Sequence, residues 1–253
     1  MNPLSIADGQ NHPGLRLVTR AGIPTPWAQA AKFILAIKGL DFAIVQEQPE
    51  ERGAQFAWLG DAGSPFVLNS DESPRDGWVA ILELAERLQP APALVPEDGH
   101  QRALMYGLAN ELCGEMGLGW SLRLQMIDAS LSDSPPTGAF PAKVARYLAG
   151  KYGYTTERAA TGRERVVSIL QTLSEALGEK DYFFADMTAL DLYWAAFGNM
   201  FMLLDEKDFP AMPMARDAWA NVGGGPFADA VPDNLRRHHA RIYERHLSLP
   251  LEL

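Results

Sequence analysis

Apolar positions fall in short runs up to residue 88 and in long helical series after Pro96. In the first part, Leu15 to Thr19 alternates around Arg16, which predicts a short strand. Gly22, Pro24 and Pro26 make the next stretch stiff and turn-like. From Trp27 to Lys38, Ala30, Ala31, Ile34, Leu35 and Lys38 recur at helical spacing with Phe33 and Ile37 alongside, and Gly39 closes the helix. Phe42 to Val45 reads as a second strand, completing a strand–helix–strand unit. Glu47 to Ala62 is irregular apart from a short helix at Phe56 to Leu59. Pro65 leads a strand at Phe66 to Asn69, and the polar stretch Ser70 to Gly77, with Pro74 inside it, predicts a turn. Asp76 is placed to cap a helix over Gly77 to Leu88, whose apolar residues Val79, Ile81, Leu82, Leu84, Ala85 and Leu88 share one broad face.

Gln89 to Pro96 holds three prolines and divides the chain, giving an α/β domain over 1–89, a linker over 90–96 and an all-helical domain over 97–253. The later helices are expected at His100 to Asp128, Phe140 to Lys151, Thr156 to Leu177, Thr188 to Leu204 and Pro232 to Leu247, with a shorter one at Met214 to Ala220. Gly114, Gly117 and Gly119 predict a kink or close packing within the first of these.

Composition narrows the function classes. At 253 residues the chain is long enough for two domains, and 47% apolar with 21% charged residues is ordinary for a soluble globular protein. A net charge of −10 argues against nucleic acid or an anionic membrane face as partner. No apolar run reaches spanning length, and Met1 to Pro13 has no secretory pattern, so a cytoplasmic location is expected. The lone cysteine, Cys113, rules out an internal disulfide and fits a reducing compartment.

Several motifs taken together resemble the glutathione S-transferases, in particular a divergent bacterial-type member near the omega and beta classes. Trp27 to Gly39 resembles the first helix of that family, and Ser64-Pro65-Phe66-Val67-Leu68 its cis-proline motif. Ile81 to Leu88 resembles the third helix, Pro92 to Pro96 the exit linker, and Thr188-Ala189-Leu190-Asp191 the buried capping box. The resemblance implies a thioredoxin-like N-terminal domain and a helical C-terminal bundle. It further implies glutathione as co-substrate, a small electrophile as second substrate and a homodimeric assembly.

On that basis Thr25 stands where the family places the residue that stabilises the glutathione thiolate, at the N-terminal end of the first helix. Thr25-Pro26-Trp27-Ala28 resembles the Cys-Pro-Phe-Ala pattern of omega-type classes, with Thr for Cys. A hydroxyl can donate to a thiolate but cannot form a mixed disulfide, so addition or substitution by glutathione fits better than thiol–disulfide exchange. Thr followed by Pro is equally a good helix cap in any protein, and both readings stand at this point. Trp27, Ser64, Pro65, Arg75, Asp76, Gly77 and Trp78 are the expected glutathione contacts. Arg75-Asp76-Gly77-Trp78 departs from the family's acid-Ser pair at the third helix, which keeps open a non-catalytic ligand- or protein-binding module as the alternative to an enzyme. Tyr106, Asn110, Cys113, Trp120 and Arg123 are the candidates for an apolar substrate pocket.

No metal site is expected. His238, His239 and His246 lack a completing Cys or carboxylate cluster and read as surface residues among Arg236, Arg237, Arg241 and Arg245. Cys113 reads as a small buried side chain, and Asp191 as structural.

Overall fold

The computed structural model describes residues 3–47, 65–225 and 227–251. The helix expected at Phe56 to Leu59, and Ser64 with its bond to Pro65, lie outside them. The chain forms two compact units that part between Leu94 and Val95.

The first unit is built on a sheet of order β2-β1-β3-β4. β1 (Leu15–Arg20) lies parallel to β2 (Phe42–Glu47), with helix α2 (Pro26–Ile37) as the crossover between them. β3 (Phe66–Asn69) runs antiparallel to β1, and β4 (Arg75–Asp76) antiparallel to β3. Alternation along the strands sends Val18, Val45, Phe66 and Leu68 into one apolar cluster with Ile6. Ile6 belongs to helix α1 (Ile6–Asn11), an element the polar opening of the chain does not predict. Its anchors are few but specific. Leu4 bridges to Val45, and Gly9 lies so close that a Cβ there would stand 2.6 Å from Val45 Cγ2. Buried Arg16 donates to the carbonyls of Gly9 (3.1 Å), Gln10 (3.2 Å) and Ser70 (2.7 Å), satisfying acceptors at the carbonyl end of α1.

Helix α3 (Trp78–Leu88) packs against α2 through Ile81, Leu82, Leu84 and Ala85. Its start corrects the expectation for Asp76. That residue is the last of β4, paired with Phe66, and Gly77 is the N-cap instead, at φ +78° and without a side-chain cap bond. Glycine adopts this left-handed backbone at little cost, so the chain turns sharply out of β4 and leaves no room in register for Asp76 to cap. At the other end, buried Lys38 Nζ reaches Glu86 (2.6 Å) and the carbonyls of Pro92 (2.6 Å) and Pro90 (3.3 Å). Glu86 also accepts the N–H of Leu94 (2.8 Å), so one ion pair fastens α2, α3 and the outgoing Pro-rich segment.

The second unit contains α4 (Gly99–Cys113), α5 (Leu118–Leu131), α6 (Ala142–Tyr152), α7 (Thr156–Leu177), α8 (Ala189–Gly198), α9 (Pro213–Gly223) and α10 (Asp233–His246). α8 is buried along its whole length, with α4 and α10 packed on it, as expected of a helix apolar on every side. The single helix expected over His100 to Asp128 is two. At Gly114 a Cβ would collide with Asn110 Oδ1, at Gly117 one would lie 2.7 Å from the Glu111 carbonyl, and Met116 between them has φ +59°. Arg165 of α7 bonds both Glu111 and the Met116 carbonyl, holding the break. The helix expected to run from Thr188 to Leu204 ends at Gly198, where Asn199 turns its side chain to α10. No helix among the described residues is long and apolar enough to cross a membrane.

Candidate functional site

The sheet register gathers three features at one end of the first unit. β1 ends at Arg20, from which the chain leads through Pro24 to Thr25. Val18 pairs with Phe66, which sets Pro65 level with the end of β1. Phe66 also pairs with Asp76, which sets Gly77 and the start of α3 at that same end. The start of α2, the residue leading β3 and the start of α3 therefore share one edge of the sheet.

Thr25 is half-buried and extended, with Pro26 in the first helical turn. Its Oγ1 accepts the N–H of Ala28 (3.2 Å), and its carbonyl accepts that of Gln29 (3.0 Å). The cap reading of Thr25 is thus realised. It uses only a lone pair of the hydroxyl. Among the described residues nothing accepts the hydroxyl proton, which leaves one donor at the amide end of α2, where the helix dipole favours an anion. Trp27, half-buried, follows two residues on.

Arg75, Asp76 and Gly77 are exposed, and Trp78 is half-buried. Arg75 pairs with Glu72 (3.4 Å), a residue that motif reasoning did not single out. Glu72 also receives Arg87 (2.5 Å) and Asn69 Nδ2 (2.6 Å). The Arg87 guanidinium, then the Asn69 amide, hold its carboxyl down at about 2. The turn before α3 is thereby fixed by a surface charge cluster in place of a side-chain cap.

The residues expected to line a substrate pocket fall into separate groups. Buried Cys113 lies on α4 in the electrostatic neighbourhood of Tyr193, as does half-buried Tyr106, and burial pushes the Cys113 thiol well up. Exposed Asn110 folds onto Gly114 at the helix break. Trp120 and Arg123 on α5 associate with Tyr152: Trp120 meets its ring edge-on at 4.7 Å and donates to its carbonyl (3.2 Å). Among the described residues no group of three or more His, Cys, Asp or Glu is placed to hold a metal ion.

Two of the three histidines read as surface residues are interior. His238 is fully enclosed, with Nε2 2.8 Å from Asp191 Oδ1, and His239 is 4% exposed, with Nε2 3.0 Å from Asn199 Oδ1. They are buried because α10 lies on α8, whose Asp191 and following Asn199 offer acceptors to consecutive positions of α10. Burial, then the neighbouring His238, push His239 down to about 3. His246 is half-buried against Tyr182, 2.8 Å from its hydroxyl.

No protein-family model matches the chain, and no curated protein matches it. Solved structures do. A beta-etherase from Sphingobium sp. strain SYK-6 superposes with a TM-score of 0.65 at 18% identity, over 92% of this chain and 96% of that one. An omega-class glutathione transferase from Trametes versicolor gives 0.61 at 14% identity, over 98% and 94%. A glutathione S-transferase from Methylobacterium radiotolerans, solved with glutathione sulfonate, gives 0.60 at 17%, over 94% and 97%. The chain has the fold of the glutathione S-transferases, a thioredoxin-like unit followed by a helical one, as its motifs imply.

Proposed function

We propose that the protein binds glutathione at the sheet edge shared by Thr25, Pro65 and the start of α3, and joins its thiolate to a small electrophile or uses it to cleave an activated bond. The observation that carries this reading is the unspent hydroxyl proton of Thr25. A free thiol ionises near pH 8.5, and a hydroxyl donor together with a helix amide end lowers that value, raising the thiolate fraction at neutral pH. Pro65, with Ser64 before it, is the proposed clamp for the extended peptide of glutathione. The amide end of α3, which has no side-chain cap, is the proposed partner of the γ-glutamyl carboxylate. Arg75 and Asp76, exposed beside it, are proposed to meet the charged groups of that moiety, and Trp27 and Trp78 to supply apolar walls. Structural neighbours with glutathione or its sulfonate bound support the reading. Tyr106, Asn110 and Cys113 remain the proposed electrophile contacts, in an assembly proposed to be a cytoplasmic homodimer.

A second reading, a binding module without turnover, draws on one observation: Glu72 already engages Arg75, so this side chain must exchange partners to meet a ligand. Calorimetric titration with glutathione, followed by ultraviolet detection of bound thiolate, tests both readings. The enzyme reading expects submillimolar to millimolar binding and a thiolate signal that Thr25→Ala removes. Binding without thiolate supports the module, and no binding at millimolar glutathione overturns the site.

A further inference from the structure

The second unit holds a buried cation without an ionic partner among the described residues. Arg123 on α5 is only 8% exposed, yet among the described residues its guanidinium meets no carboxylate and no hydrogen-bond acceptor. Its Nε is wholly enclosed and unpartnered, whereas its terminal nitrogens are not among the enclosed unpartnered atoms and so keep contact with solvent. Two aromatic rings flank it instead, Phe140 with its centroid 5.4 Å away and Tyr152 at 5.8 Å. Other buried cations are satisfied differently. Arg16 meets three carbonyls, and Lys38 meets Glu86 with two carbonyls. Ring faces attract a cation but replace its lost hydration only in part, so a guanidinium held this way carries unspent capacity for a planar oxyanion.

The surroundings repeat the same sign. Phe140 to Tyr152 carries Lys143, Arg146 and Lys151 and no acid, in a chain whose net charge is −10. Lys151 Nζ stands 5.8 Å from the Tyr152 ring. On α5 itself, Asp128 accepts the Tyr154 hydroxyl (2.7 Å) and forms no ion pair with Arg123. Trp120, Phe140 and Tyr152 are each half-buried, so they offer apolar surface beside the cation. Trp120 is held in place by its bond to the Tyr152 carbonyl.

We propose that Arg123, framed by Phe140 and Tyr152 with Trp120 adjoining, binds the oxyanion of a small organic acid that has an aromatic or other flat apolar body. The fork of the guanidinium takes the carboxylate or sulfonate in two parallel bonds, and the rings take the body. This site lies within the helical unit and does not depend on glutathione.

Titration calorimetry with 1-naphthoate, against the neutral 1-naphthalenemethanol and in the absence of glutathione, tests it. The full chain is expected to bind naphthoate at least tenfold more tightly than the alcohol, and added salt is expected to weaken only the acid. Arg123→Gln is expected to erase that preference, and Arg123→Lys, which keeps charge but loses the fork, to retain part of it. The comparison of acid with alcohol on the unaltered protein needs no variant, so it stands even where a substitution impairs folding. Equal affinity for acid and alcohol, no naphthoate binding at millimolar concentration, or an unchanged preference in a folded Arg123→Gln protein overturns the proposal.

Discussion

Of the threonines that open helices in this protein, Thr25 and Thr188 spend their hydroxyls differently. Thr188, 4% exposed, forms the reciprocal capping box of α8: its N–H donates to Asp191 Oδ2 (2.7 Å), and its hydroxyl donates to the same oxygen (3.0 Å). Asp191 further accepts the N–H of Phe183 (3.1 Å) and lies 2.8 Å from His238 Nε2. Every polar group of that cap is turned inward. Thr25 opens α2 with a single accepted bond, half-buried, its proton unassigned among the described residues. One cap is a fixture of the core, and the other has a donor left over at a sheet edge. The same residue type in the same helical position can donate to a ligand only where its second hydrogen-bonding capacity is not already consumed.

The largest expected effect falls on the closed cap. Asp191→Ala removes the acceptor of four donors, two from Thr188 and one each from Phe183 and His238, and leaves them buried, which costs about 3–5 kcal/mol by comparison with other broken buried pairs. Chemical denaturation is expected to show the helical unit losing most of its stability, with the aromatic circular dichroism of Trp194 and its neighbours collapsing. A loss within about 0.5 kcal/mol, the range of ordinary surface changes, means that the box is incidental to α8.

Next comes the pH dependence beside that cap. His239 is held near 3 in the folded chain against 6.5 when unfolded, so the unfolded state binds the extra proton. Stability attributable to this group is complete above about 6.5 and declines as pH falls toward 3, by up to about 1.4 kcal/mol per pH unit. Denaturation midpoints from pH 7 to pH 4 measure the slope. His239→Gln keeps an N–H for Asn199 and is expected to flatten it, and an unaltered slope assigns the proton elsewhere.

These histidines mark the limit of what is legible in the linear chain. The strand–helix–strand unit, the Pro-rich division and the Thr188–Asp191 box follow from periodicity and local motifs, which depend on neighbours within four residues. His238 and His239 sit in a run of arginines on a helix whose composition reads as solvated, and their burial depends on acceptors that α8 and its C-cap supply 47 and 40 residues earlier. Helix α1 escapes for a related reason: its six residues bury only Ile6 and Gly9, too few for a periodic signal. The register that brings Thr25, Pro65 and Gly77 to one edge becomes visible only once β1, β3 and β4 are paired. Asp76 is misread because the two-residue strand β4 claims it before α3 begins.

The open cap predicts a smaller change in stability and a larger one in chemistry. Thr25→Ala is expected to cost about 1 kcal/mol in folding, as for other helix caps. If Thr25 donates to the thiolate, kcat/KM for conjugation falls on the order of a hundredfold as well. Thr25→Ser keeps both functions. Rates that follow stability alone across Ala and Ser reduce Thr25 to the same kind of cap as Thr188.

A third helix start, that of α3, sharpens the contrast with the smallest effect. It has no side-chain cap, and the turn before it is tied by Glu72 to Asn69, Arg75 and Arg87. Glu72 titrates at about 2 when folded against 4.5 in the unfolded chain, so its contribution is present above about 4.5 and is lost as pH falls through 2. That window overlaps the lower part of the one set by His239 and extends below it, and the two separate in the His239→Gln background. The cluster is at the surface, where ion pairs contribute little and salt screens them. Glu72→Gln is therefore expected to lower the melting temperature at neutral pH only slightly and to flatten the acid limb by the same small amount. Its more informative readout is the ligand. Released from Glu72, Arg75 becomes available at the edge where glutathione is proposed to lie, and affinity for glutathione is expected to rise by a few fold in calorimetry. An unchanged affinity would show that Arg75 takes no part in binding, leaving the amide end of α3 to hold the carboxylate unaided.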